Sequence, residues 1–230
     1  SNLASSETLN HSGTASIGSA NAGSYTITNL SGVSIADGSN GGLASNYTLT
    51  GGTHNFTVNQ RAISLSGTRL YDATTNAAAS DLSTMANLVG SETLTLSGTG
   101  SIASANVSSN KTVTTGTLAL ADGSNGGLAA NYTLSGGTHQ LTVNQRPLIA
   151  TLARQYDATT TAAGSDLSSF NDLQGGETLS VSGSGTATSA NVANSIAMAN
   201  NGTLALADGT GLASNYSLNS TIINISQRVL

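Results

Sequence analysis

Eleven carboxylates, six basic side chains and three histidines carry all the acid–base and metal-ligand chemistry open to this 230-residue chain, which has no cysteine. Their positions are more telling than their number. Glu7, Glu92 and Glu177 each open a Glu-Thr-Leu and lie 85 residues apart. Asp37, Asp122 and Asp208 sit in Ala-Asp-Gly, and Arg61, Arg146 and Arg228 each follow a Gln. Asp72 answers Asp157, Asp81 answers Asp166, and Arg69 answers Arg154; only Lys111 and Asp172 stand alone among the charged residues. A catalytic centre is one constellation in one place, whereas groups that return once per repeat serve structure: capping strand ends, bonding backbone amides, or pairing Arg with Asp across a junction.

The individual chemistries fail on similar grounds. His54 and His139 share one repeat position, but Thr221 replaces them in the third copy and His11 is isolated. No Gly-x-Ser-x-Gly or Cys–His arrangement builds a nucleophile. Carboxylate pairs for glycoside hydrolysis lack an accompanying aromatic platform. "LTLSGTGSIA" at 94–103 imitates a dinucleotide loop, with Asp122 about twenty residues on, but the segment after it is polar and β-branched rather than helical. The chain reads as no enzyme, with no organic cofactor. Calcium is the stronger rival: "ADGSNGG" at 36–42 and 121–127 offers hard oxygen donors in a glycine-rich loop, with Asp37, Asp122 and Asp208 as candidate ligands. The spacing matches no EF-hand, the third loop loses its Asn, and an Asp–Gly turn accounts for the same letters. Asn-x-Ser/Thr sequons at Asn46, Asn131 and Asn215 read as structural. The single lysine, aligned with Thr26 and Ile196, excludes a Lys–Asn crosslink in every repeat.

Composition narrows the partners. Charged residues are 7% of the chain and aromatics 3%, with a net charge of −5, so there is no basic patch for nucleic acid. No apolar run approaches a membrane span, and no signal peptide is present, as expected for a segment of a longer chain. The absence of cysteine suits a protein that holds without disulfides and crosses membranes unfolded.

These side chains are positioned by a repeat that covers the whole sequence. Ser-Ala-Asn recurs at 19–21, 104–106 and 189–191, Asn-Tyr at 46–47, 131–132 and 215–216, and "LYDATT" at 70–75 returns as "QYDATT" at 155–160. "SNL" at 1–3 aligns with 86–88, so the chain starts inside a repeat that lacks roughly its first two strands. The expected modules are 1–61, 62–146 and 147–230. Alternating apolar and polar residues in "ETLTLSG", "TVTTGTLALA" and "HQLTVNQ" predict half-buried strands, about seven per module. "TLTGGTHNF" predicts a hairpin turning on Gly51–Gly52. "NAAASDLSTMANL" at 76–88 holds at most a short helical turn. The resulting fold class is all-β: tandem immunoglobulin-like β-sandwich modules in an elongated array, with Tyr47, Tyr132 and Tyr216 packing before a late strand. At "HQLTVNQRPLIATLARQYD" one module's last strand runs directly into the next module's first, without a linker and with Pro147 at the seam. Such short junctions predict a stiff rod.

"YDATT…ETLTLSGTG…SAN…GTLALADG…NYTL…TVNQR" resembles the YDG/MBG-type bacterial immunoglobulin-like repeats. These occur in tandem in large, filamentous-haemagglutinin-like adhesins exported by two-partner secretion. Ala73 and Ala158 replace the glycine of "YDG". The resemblance implies a repeat of the bacterial cell surface, extracellular and outer-membrane-associated, supporting cell–cell or biofilm-matrix attachment. Its structural repeat positions are Tyr47, Tyr132, Tyr216, Tyr71, Asp72, Tyr156, Asp157, Arg61, Arg146 and Arg228. The leading expectation is a non-enzymatic stalk whose partners are its own neighbouring repeats. The alternatives are a module that binds extracellular polysaccharide or another cell surface by avidity, a calcium-stiffened repeat, and a β-solenoid, which the 85-residue period disfavours.

Overall fold

Strict alternation shapes the strand Arg146–Gln155. Leu148, Ala150 and Leu152 are fully buried, while Pro147, Ile149 and Ala153 face outward. A side-chain period of two places every second residue on the core face. The computed structural model describes residues 2–230 and is all-β, with curled sheets and helical structure limited to single 3-10 turns. The third repeat alone contributes eight strands, one more than its pattern suggests.

The chain divides into two compact units. Unit 1 comprises residues 1–63, 87–95 and 120–136; unit 2 comprises 64–86, 96–119 and 137–230. Unit 2 holds two six-stranded sheets of identical order. In the third-repeat sheet, Arg146–Gln155 runs parallel to the last strand, Tyr216–Ser226, which also pairs antiparallel with Ala193–Asn200. In the other, Ser64–Leu70 runs parallel to His139–Asn144, with Ser108–Thr114 on the far side. In these two repeats the first strand therefore closes against the last. Leu152, Ala162, Ala187, Ile196, Ile223 and Ile225 form the third repeat's core, flanked by Leu167, Met198 and Leu204. In unit 1, Leu9–Gly13 pairs with Val33–Asp37, Gly23–Thr26 with Asn55–Val58, and Arg61–Ala62 runs parallel to Tyr132–Thr133.

The Gly-Gly hairpin is not formed. In the second repeat, Tyr132–Thr133 and His139–Asn144 both run parallel to consecutive stretches of one partner, Arg61–Ala62 and then Leu65–Leu70. Residues 134–138 are a loop between these two strands, with Gly136 at φ +81°. Gly51 has the matching φ of +79°, whereas Gly52 is not left-handed. The third repeat gives the physical reason. Losing two residues there turns the loop into a bulge, and Tyr216–Ser226 is continuous, with a register shift only between Leu148 and Ile149. The deletion leaves the pairing intact: Leu65 faces His139 as Ala150 faces Thr221. A local turn signal does not reveal that both flanks share one distant partner. The region 76–88 contains the short turn expected of it, the 3-10 turn Ala79–Asp81, set between Asn76–Ala78 and Thr84–Ala86.

Candidate functional site: the seam between successive repeats

The seam in unit 2 has almost no slack, since His139–Asn144 ends one residue before Arg146–Gln155 begins. Side chains of one repeat reach the next across it. The Tyr71 hydroxyl donates to Glu177 Oε1 at 2.5 Å, and its ring meets the ring of Tyr216 edge-on, with centroids 5.3 Å apart and planes at 78°. Arg146 donates through Nε to the Tyr71 carbonyl at 2.6 Å and through a terminal nitrogen to Asp172 Oδ2 at 2.5 Å. Asn215 Nδ2 donates to Asn106 Oδ1 at 3.0 Å, and its own Oδ1 accepts the Val107 amide at 2.9 Å. Gln145 Nε2 reaches the Ser214 carbonyl at 3.1 Å. Two of these links recur within unit 1: Asn131 and Asn21 bond at 3.0 Å, Ala22 N–H donates to Asn131 Oδ1 at 2.8 Å, and Gln60 Nε2 reaches the Ala130 carbonyl at 3.0 Å.

Each seam residue is held by a device that the repeat spells out. Asp37, Asp122 and Asp208 accept the amides of Ala44, Ala129 and Ala213, each at 2.7 Å. Those amides begin the 3-10 turns Ala44–Asn46, Ala129–Asn131 and Ala213–Asn215, whose last residue is the Asn of Asn-Tyr. The candidate calcium ligands thus fix the turn that carries the seam asparagine. Among the described residues no three His, Cys, Asp or Glu side chains converge as a metal site. The tyrosines that follow accept one backbone amide, from Ala4, Val89 or Gln174, each at 3.0 Å. They donate in turn to Glu7, to Glu92 at 2.5 Å, and to Glu177 at 2.7 Å. Burial, then the Glu177 hydrogen bond, pushes the Tyr216 phenol up to about 12, and Tyr71 is raised for the same reasons. Tyr132 is raised chiefly by burial, and Tyr47 chiefly by its bond to Glu7.

The Tyr-Asp turns are locked locally rather than across the seam. Arg69 bonds Asp72 at 2.5 Å and the Thr74 carbonyl at 2.6 Å, and Arg154 binds Asp157 and Thr159 in the same way. The Thr159 amide and Arg154 hold the Asp157 carboxyl below the usual range. Of the pairings that the sequence suggested, the Arg–Asp link across a junction is made by Arg146 with Asp172, the acid that stood alone. Arg61 and Arg228 are exposed, as is Tyr156 at 38%. The bonds of Tyr71 and Asn215 to the following and preceding repeats were missed. They span 106 and 109 residues, not the repeat period, so no periodicity could have found them.

Residues 53–142 and 138–223 each match the YDG domain. The chain belongs to the YDG family. No curated protein and no solved structure matches it. The missing glycine of the YDG motif now has a location. Ala73 and Ala158 have φ of +60° and +64°, the left-handed region that glycine enters without a Cβ penalty. The arginine–aspartate locks of the two YDG turns hold the alanines there. No helix among the described residues is long and apolar enough to cross a membrane.

Proposed function

We propose that this YDG chain is a non-enzymatic spacer: tandem immunoglobulin-like sandwich repeats that stack end to end as the stalk of a large bacterial surface adhesin. Its location is extracellular, after export by two-partner secretion, and its partners are the neighbouring repeats of its own chain. One observation supports this reading above others. The second and third repeats are joined through a single intervening residue and crossed by hydrogen bonds that Tyr71, Gln145 and Arg146 donate and Asn106 accepts. A seam so bonded resists bending, and a stalk needs that property of every junction. Its polar groups are spent on structure, as expected of a part whose work is reach.

Small-angle scattering of chains with two, three and four repeats tests this. The maximum dimension should grow by a constant step of roughly 33 Å per repeat, the length of a ten-residue strand. A dimension growing as the square root of repeat number would contradict the stalk, and saturable binding of an exopolysaccharide would favour the avidity reading instead.

A further inference from the structure

We propose that the parallel pairing of first and last strands is a mechanical clamp, which lets a repeat bear tension along the chain without unfolding. Load bearing is a function beyond reach and rigidity; that the clamp is loaded in use rests on the stalk reading.

Topology sets the path of the load. In the third repeat the chain enters at Arg146, beside Tyr216, and leaves at Ser226, beside Gln155. Entry and exit therefore lie at opposite ends of one parallel pair. The second repeat is built alike, with Leu65 beside His139 at the entry end and Leu70 beside Asn144 at the exit. His139–Asn144 then passes through Gln145 straight into Arg146–Gln155. Tension leaving one repeat falls directly on the first strand of the next. While the ladder holds, the intervening residues 156–215 carry none of it.

Pulling on the two ends slides the paired strands past each other. Every ladder hydrogen bond is strained at once, so the bonds share the force and must fail together. Parallel strands space these bonds evenly, which spreads the load. Were the first and last strands antiparallel, entry and exit would lie at the same end of the pair. Force would then open the ladder one bond at a time.

The ladder of the third repeat is long and shielded. Arg146–Gln155 pairs along its whole length, with one register shift between Leu148 and Ile149. Beneath it Leu148, Ala150, Leu152, Ile223 and Ile225 are buried. Water is kept from that face, so a strained backbone bond is not readily exchanged for one to solvent. Neither strand lies at an edge of the sheet. Leu167–Phe170 flanks Arg146–Gln155, and Ala193–Asn200 flanks Tyr216–Ser226.

The test is single-molecule pulling of the intact chain through two alternative pairs of handles on the third repeat, made specific by the absence of native cysteine. Pro147→Cys with Ser226→Cys loads the ladder in shear. Gln155→Cys with Ser226→Cys, two residues that face each other at one end, peels it open. All three positions are exposed and one is shared, so the comparison isolates the direction of force. Shear should require a several-fold higher force than peeling. It should end in one abrupt step of about 250 Å, residues 147–226 drawn out at about 3.6 Å each less the length of the paired strand. Equal forces in the two directions, or gradual lengthening under shear, would overturn the clamp. The scattering series tests the stalk separately: a flexible array that kept the force difference would sink the stalk reading and support the clamp.

Discussion

The hydroxyl of Tyr71 and the carboxylate of Glu177 meet at 2.5 Å across 106 residues of sequence, joining one repeat to the next. Glu177 also accepts Tyr216 of its own repeat at 2.7 Å, so one carboxylate gathers two buried phenols from two repeats. Within-repeat packing and between-repeat docking are thereby tied to the same side chain.

Replacing Tyr71 by Phe keeps the ring against Tyr216 and removes only the donor. The variant should lose about 1.5 kcal/mol in urea denaturation, the usual worth of a hydrogen bond to a charged group. In a double-mutant cycle with Glu177→Gln the two losses should be markedly non-additive, since both changes remove one bond. Additive losses would mean that the contact carries no energy.

Alkali should loosen this seam over a definite window. The Tyr216 phenol is raised from its ordinary value of 10.0 to about 12, and Tyr71 is raised as well. A raised phenol stabilises the fold in its protonated form, so the contribution is complete below pH 10 and is lost as pH climbs through about 12. Melting temperature should be flat from about pH 8 to 10 and fall above it, with tyrosinate absorbance rising in step. In a Tyr71→Phe, Tyr216→Phe double variant the fall should be shallower.

The YDG turns of this chain carry alanine where left-handed backbone favours glycine. Ala73→Gly and Ala158→Gly should each stabilise by up to about 1 kcal/mol, relief of the Cβ clash outweighing the added freedom of glycine in the unfolded chain. Thermal melts of the two single variants check this, and a loss at both positions would contradict it.

Thr221 is 3% exposed and its hydroxyl has no hydrogen-bond partner among the described residues. Thr221→Val keeps the shape and removes an unsatisfied buried polar group. It should stabilise by about 1 kcal/mol in denaturant titration.

Much of this organisation was legible in the letters. The all-β class followed from two-residue alternation, and the absence of a linker at Gln145 was visible directly. The Asn-Tyr and Ala-Asp-Gly motifs marked recurring positions, but not what they do. Asp208 proved to hold the turn bearing Asn215, and Asn215 to bond Asn106 of the preceding repeat. Such pairings depend on which distant strands lie side by side, and the parallel closure of first strand on last leaves no local trace. The Gly-Gly loops misled for that reason: the strands on either side of Gly136 pair with Arg61–Ala62 and with Ser64–Leu70 rather than with each other. Asp172 shows the opposite limit, a residue outside the repeat pattern that pairs with the recurring Arg146.

The absence of cysteine allows spin labels to be placed on two chosen residues without background. Electron–electron resonance between labels at Ser109→Cys and Asn194→Cys, both exposed and on successive repeats of unit 2, measures the stiffness of the seam directly. A single narrow distance distribution, broadened by Tyr71→Ala with Arg146→Ala, is expected. A broad distribution in the unaltered seam, as two independently tumbling repeats would give, would contradict it.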